Sequence, residues 1–237
     1  MNQTLLERII RAMEAAARGI LTASGYNTDM GLNVQVARED LAETDLPGLV
    51  LWVGKEDPAP TYGAGFLSVS VTVLGLMLHG AEVPGYLVPA MLADLKEALC
   101  APVLSLPFSG GAVPVSVGDT LAGATSGAGG YVGGVTIASG SWAGGDAAGV
   151  FTLRRLTGSG LFLSGENLLV SGSPVAQAAG AGTPQTPEAR VAAGLAKSIQ
   201  YTGGGADEYP AAGRKITGVS AAFTVLYRHR PGDSYNL

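Results

Sequence analysis

The chain has 237 residues, of which 36 are Gly, 13 are Pro and one is Cys; charged residues make up 14% and the net charge is −5. Hydrophobic residues at 47% exclude a disordered chain, and the acidic balance argues against a basic nucleic-acid binder. A single Cys excludes an internal disulfide scaffold and a cysteine-rich zinc site, and points to a reducing compartment.

No apolar run reaches the ~18 residues of a membrane helix, and acids in the amphipathic N-terminus do not fit a secretory signal. Thr4 and Glu7 have capping-box spacing, while Leu6, Ile9, Ile10, Met13, Ala17, Ile20 and Leu21 share one face. This predicts a helix from Thr4 to about Ala23, with Glu14 and Arg18 paired outward and Gly25 as its stop. Alternation at Leu32, Val34 and Val36 and the run from Leu49 to Val53 predict two strands. Between them lie the acids Glu39, Asp40, Glu43 and Asp45.

The turn formers of KEDPAPTYGAG, from Lys55, predict a loop. It leads to the clearest strand, with Leu67, Val69, Val71 and Val73 on one face and Ser68, Ser70 and Thr72 on the other. Hairpins and antiparallel pairing are expected. A second helix is expected from about Pro89 to Leu99, with Pro89 in its first turn and Met91, Leu92, Leu95 and Leu99 inward. Cys100 then closes that face as a small buried hydrophobe.

Residues 101–183 hold 19 of the 36 glycines and five charges, Asp119, Asp146, Arg154, Arg155 and Glu166. Short apolar runs at AVPVSV (from Ala112), YVGGVTI (Tyr131), GVFTLRRL (Gly149) and GLFLSGENLLVSG (Gly160) alternate with turn signals. A small β-sandwich or barrel follows, with Tyr131, Trp142, Phe151 and Phe162 as core candidates. Thr186-Pro187-Glu188 predicts a short helix over 187–197, and Lys197 to Thr202 a strand before the turn-rich GGGADEYPAAG. Val219, Ala221, Phe223, Val225 and Tyr227 then line one face of a long strand, with Gly218 as a bulge and a polar arm from Arg228.

Chemistry is sparse. The two histidines, His79 and His229, allow only the paper pairings His79–Cys100 and His229–Asp233, and a strand-end or surface role is the plainer reading. Spacings such as HExxH or CxxC are absent, and GVSAA, from Gly218, lacks the second Gly of a nucleophile elbow. The run GATSGAGGYVGG, from Gly123, has no following Lys-Ser/Thr and opens no helix, so a phosphate loop fails. The acids at 39–45 have no EF-hand spacing and read as a solvated loop, and Trp52 and Trp142 read as core. Neither a cofactor nor a metal is expected, and the residues do not compose an active site.

The strand GFLSVSVTVLGLM, the helix MLADLKEAL, the segment IQYTGGGADEYP and the closing FTVLYRHRPGDSYN occur in an order that resembles tail terminator (tail-completion) proteins of long-tailed bacteriophages. The likeness covers about residues 1–100 and 188–237. Residues 101–183 depart from that pattern and are similar to β modules of phage structural proteins. The resemblance implies an α+β fold over 1–100 and 184–237, an antiparallel β-sheet flanked by helices, interrupted by an all-β insertion domain at 101–183. It implies a ring, usually a hexamer, that terminates the tail tube and joins it to the head-proximal connector, with DNA passing through the lumen without specific binding. The expected partners are therefore a second copy, the major tail tube protein and the head–tail connector, in a virion assembled in the host cytoplasm, with no membrane and no enzymatic activity. By pattern, the interface or lumen candidates are Glu39, Asp40, Glu43 and Asp45 in the acidic loop, Lys55, Glu56 and Asp57 in the next loop, and Arg228, Arg230 and Asp233 in the arm. Another neck or head-closure component is the alternative within the virion. A carbohydrate-binding or adhesive β-module protein is the alternative outside it.

Overall fold

The computed structural model describes residues 3–37, 41–62, 65–78, 84–158, 161–192, 194–207, 216–230 and 233–235. The fold is mainly β, with two sheets and few helices. The chain divides into two compact units: Met1–Thr22, Tyr26–Cys100 and Pro187–Leu237 form one, and Ala23–Gly25 with Ala101–Thr186 form the other.

The first unit begins with α1 (Leu5–Arg18). Thr4 caps it by accepting from the Glu7 amide at 3.1 Å, but the Glu7 carboxylate turns outward to Arg11 instead of completing a capping box. The helix stops at Gly19, earlier than its apolar pattern predicts. The reason is competition from the 29–31 loop: the Thr22 amide donates to Asp29 at 2.7 Å, and the Gly31 amide to the Ile20 carbonyl at 2.9 Å. Leu5, Ile9, Ile10, Met13 and Ala17 are buried, while Leu6 is only half-buried.

Four further strands and two helices complete this unit among the described residues beside β1 (Asn33–Val36): β2 (Gly48–Pro58), β3 (Phe66–Leu78), α2 (Pro84–Cys100), α3 (Pro187–Val191), β11 (Ala196–Asp207) and β12 (Ile216–Arg228). The sheet order is β1-β2-β3-β12-β11. Its strands come from both ends of the chain. β1 and β2 pair in parallel, contrary to the expected hairpin, because the connection through 37–47 carries the chain back to the end where β1 began. Leu32 ends a 3-10 turn and is exposed rather than part of β1.

β2 continues through Lys55, Glu56 and Asp57, where turn-forming residues predict a loop. A register shift between Val53 and Glu56 absorbs the extra residue and restores pairing with β3 at Val69 and Ser68. β11 likewise runs through Gly203–Gly205, where a turn is expected, because the long partner β12 supplies a full ladder. Gly218 makes no bulge: β12 pairs with β3 without a shift, and the irregularities lie in β11.

Val69, Val71 and Val73 of β3 and Val219, Ala221, Phe223, Val225 and Tyr227 of β12 share one buried core with α1, α2 and α3. Gly75 interrupts the valine series because a Cβ there would meet the buried Met30 sulfur at 2.7 Å. α2 starts five residues before Pro89, so this proline lies inside the helix, beyond the first turn expected for it. Cys100 is half-buried, and burial pushes its thiol up to about 11 against smaller opposing effects of a backbone hydrogen bond at Tyr201 and the Arg190 charge. On the other sheet face, Leu41 covers Val50, Leu74 and Leu76, and Trp52 packs half-buried against them.

The second unit comprises β4 (Val103–Gly111), β5 (Thr120–Gly123), β6 (Gly129–Ser139), β7 (Ala147–Thr157), β8 (Asn167–Val170), β9 (Ser173–Ala178) and β10 (Thr183–Gln185). The antiparallel order β4-β7-β6-β5-β8-β9 closes on itself where Phe108 and Ser109 of β4 meet Ala178 and Gln177 of β9. The result is a small barrel, with β10 added beside the start of β4. Side chains fill it: Phe108 stacks on Phe151 at 4.1 Å and on Trp142 at 5.4 Å, and Phe162 is buried. AVPVSV is an irregular connection, although Val115 of that run is buried.

Candidate assembly interface

At the β2–β3–β12 end of the first unit's sheet, the bulge decides which side chain faces the core. Val53 lies on the helix-covered face, and strict alternation would place Lys55 there next. The extra residue inverts the phase, so Glu56 pairs opposite Val69 on that face and Lys55 does not. A Cβ on Gly54 would approach the Ser70 carbonyl at 3.0 Å, so glycine suits the tight part of the bulge.

The Tyr227 phenol donates to Glu56 Oε2. Burial, then the bond to Glu56 and the charge of that carboxylate, push the phenol well above the ordinary tyrosine value. A cavity of about 150 Å³ opens here, lined by Glu56, Tyr227, His229, Thr4, Ser234, Leu6 and Leu67. The C-terminal arm reaches it by two backbone bonds, from the His229 amide to the Gly65 carbonyl and from the Leu5 amide to the Ser234 carbonyl, both 2.9 Å. His229 Nδ1 is buried and has no hydrogen-bond partner among the described residues, so it forms no His–Asp pair through that atom.

The other sequence candidates scatter. Lys55 pairs with Asp57 at 2.6 Å on the exposed strand, and Arg228 lies 5.8 Å over the Phe66 ring. Arg230 and Asp233 form an isolated antiparallel bridge in the arm. Glu43 and Asp45 belong to a 3-10 turn that precedes β2, where the Asp45 carbonyl accepts from Asn33 Nδ2 at 2.8 Å. That turn is about 30 Å along β2 from Asp57, so the two groups occupy opposite ends of the sheet. Glu39 and Asp40 lie outside the described residues, as does His79.

The glycine-rich run holds a carboxylate of the protein itself. Glu166, buried in the barrel unit, accepts from the Thr125 and Ser126 amides at 2.9 Å each, from Ser126 Oγ at 2.7 Å and from the Leu163 amide at 2.6 Å. Desolvation alone would raise its pKa, but these four donors outweigh it and hold the carboxyl below its ordinary value. Among the described residues, no group of three or more His, Cys, Asp or Glu side chains is placed to hold a metal ion. Among the described residues, no helix is long and apolar enough to cross a membrane.

No protein-family model and no curated protein sequence matches this chain. The first unit's sheet carries helices on one face, and the middle of the opposite face is a band of small side chains. Ser70 is exposed there, with Ser68, Thr72, Ala222 and Thr224 half-exposed around it. Tyr227 was legible only as a core residue, because nothing in the sequence signals its bond to Glu56.

Proposed function

We propose that the chain is a tail terminator of a long-tailed bacteriophage, a structural subunit of a ring that ends tail-tube growth and joins the tube to the head-proximal connector. In this reading an α+β terminator core is formed by both ends of the chain, and the barrel is a module inserted between α2 and α3. The subunit is not an enzyme and acts in the virion tail or neck after assembly in the host cytoplasm. Its partners are further copies, in a hexamer, with the major tail tube protein and the head–tail connector.

The observation that carries the reading is the hydroxyl-rich sheet face. Hydroxyl and methyl groups at Ser70, Thr72, Ala222 and Thr224 offer nothing that traps phosphates, and Lys55, which the bulge turns away from the core beside Ser70, is already matched by Asp57 at 2.6 Å. A lumen that DNA must slide through needs this property, and facing this side of the sheet inward supplies it. Native mass spectrometry of the protein bound to tail tubes tests the reading. A closed set of identical copies per tube end is expected; only one or two copies per end would overturn it.

A further inference from the structure

Among the described residues, one strand lane beside β2, next to α1, is unfilled. β1 pairs with β2 only as far as Val36 and Leu51, and the Ala37 amide adds a last bond to the Leu51 carbonyl at 2.9 Å. Ala37 then takes φ of 57°, in the left-handed region, and Leu41, the next described residue, packs against Val50, Leu74 and Leu76 on the other face of the sheet. Because main-chain groups of alternate residues point to the same side of a strand, Val53 directs its amide and carbonyl into the lane. Among the described residues, no strand pairs with β2 there.

Beside it runs a groove of about 380 Å³ with Leu6, Ile10, Val36 and Val53 as its apolar floor. The rim charges are already matched, Glu7 with Arg11 at 2.9 Å and Glu14 with Arg18 at 2.7 Å. At one end the groove shares Thr4 and Leu6 with the Glu56 cavity. Glu56 accepts from a neutral phenol and has no cationic partner among the described residues.

We propose that this lane docks an extended segment of a partner protein, added as a strand beside β2, with apolar side chains on the groove floor and a lysine or arginine at Glu56. Each part of the occupant's chemistry follows from one observation. Unpaired main chain in a lane about 5 Å wide takes a strand, whereas a helix is about twice that width. The apolar floor takes alternate apolar side chains, and the unmatched carboxylate takes a cation. A second copy suits the lane poorly: β2 already carries one bulge there, and the copy's edge strand β11 would add two register shifts of its own and glycine at 203, 204 and 205. The inference does not depend on the ring reading.

The probe is a fluorescent peptide of about seven residues, the length of the uncovered part of β2, alternating valine and threonine with one lysine. A second peptide carries glutamate in place of the lysine. Anisotropy and amide hydrogen exchange are recorded with the full chain, with Glu56→Gln, which still offers Tyr227 an acceptor, and with Leu6→Lys. Circular dichroism and melting confirm that each variant is folded. The proposal expects saturable binding of the lysine peptide and protection of the Val53 amide. It expects affinity about fivefold lower for the glutamate peptide and for Glu56→Gln, and none for Leu6→Lys. Absence of saturable binding to the folded wild type would overturn it, as would equal affinity for both peptides. Concentration-dependent protection of Val53 without any peptide would assign the lane to a second copy and also overturn it.

Discussion

Glu56 and Tyr227, 171 residues apart in sequence, are joined by a hydrogen bond on the helix-covered face of the sheet. The bond ties β2 to β12 across the intervening β3. It exists because one extra residue in β2 turns the exposed Glu56 to that face, and it places a carboxylate at the mouth of a cavity beside the start of α1. Local backbone geometry thus decides which charge the sheet presents at this end.

Tyr227→Phe should cost about 1–2 kcal/mol in urea unfolding, since it removes a hydrogen bond to a charged group and keeps the ring's packing. The pH dependence has a definite sign. Tyr227 has a raised pKa in the folded chain, so its contribution is complete below the ordinary value of 10.0 and is lost as pH rises above it. Stability should therefore fall less steeply above pH 10 in Tyr227→Phe than in the wild type. Parallel slopes for the two proteins would show that the bond does not titrate with folding.

Glu166→Gln should destabilise the barrel by about 2 kcal/mol, because an amide nitrogen would replace one oxygen that faces N–H and O–H donors. The wild-type carboxyl has a depressed pKa, so its contribution is present above the ordinary value of 4.5 and declines as pH falls below it. Fluorescence of Trp142, read in a Trp52→Phe background, reports on this unit. The acid-side loss of stability should be smaller in Glu166→Gln.

Replacing residues 101–186 with a short Gly/Ser linker should leave the first unit folded. Its core cluster draws no residue from that span, and the barrel's cluster draws all of its residues from within it. The junctions are near each other: Arg190 of α3 donates to the Ala98 carbonyl of α2 at 2.7 Å, so a short linker closes the gap at small entropic cost. A cooperative thermal transition and retained helix content check this. An insoluble product would show that the two units fold as one.

How much was legible depended on whether a segment's local pattern matched its tertiary role. β12 was, because Val219, Ala221, Phe223, Val225 and Tyr227 occupy every second position and all five are buried. α1 was legible except for its end, which the Thr22–Asp29 bonds set from a distance. Lys55–Asp57 and Gly203–Gly205 read as turns because their side chains favour turns, and only pairing to long neighbours makes them strands. The parallel β1–β2 pair left no local trace. Neither did the Glu166 cage, whose glycine-rich segment and carboxylate are about 40 residues apart.

Ser70→Lys with Thr224→Lys should cost about 1 kcal/mol, since both positions are on the open face but are directly paired across β3 and β12, so the two lysines repel. If that face lines a lumen, the pair adds phosphate contacts and DNA transit slows, with salt relieving the effect. DNA-ejection kinetics at two salt concentrations check this. Unchanged kinetics would place the face away from DNA.

The terminator reading is tested most directly on tail tubes assembled without this protein. They are mixed with it and imaged by electron microscopy as more tube protein is added. The account predicts a closed ring at one tube end and arrested elongation at that end. Binding along the tube walls, or elongation that continues past the added protein, would contradict it.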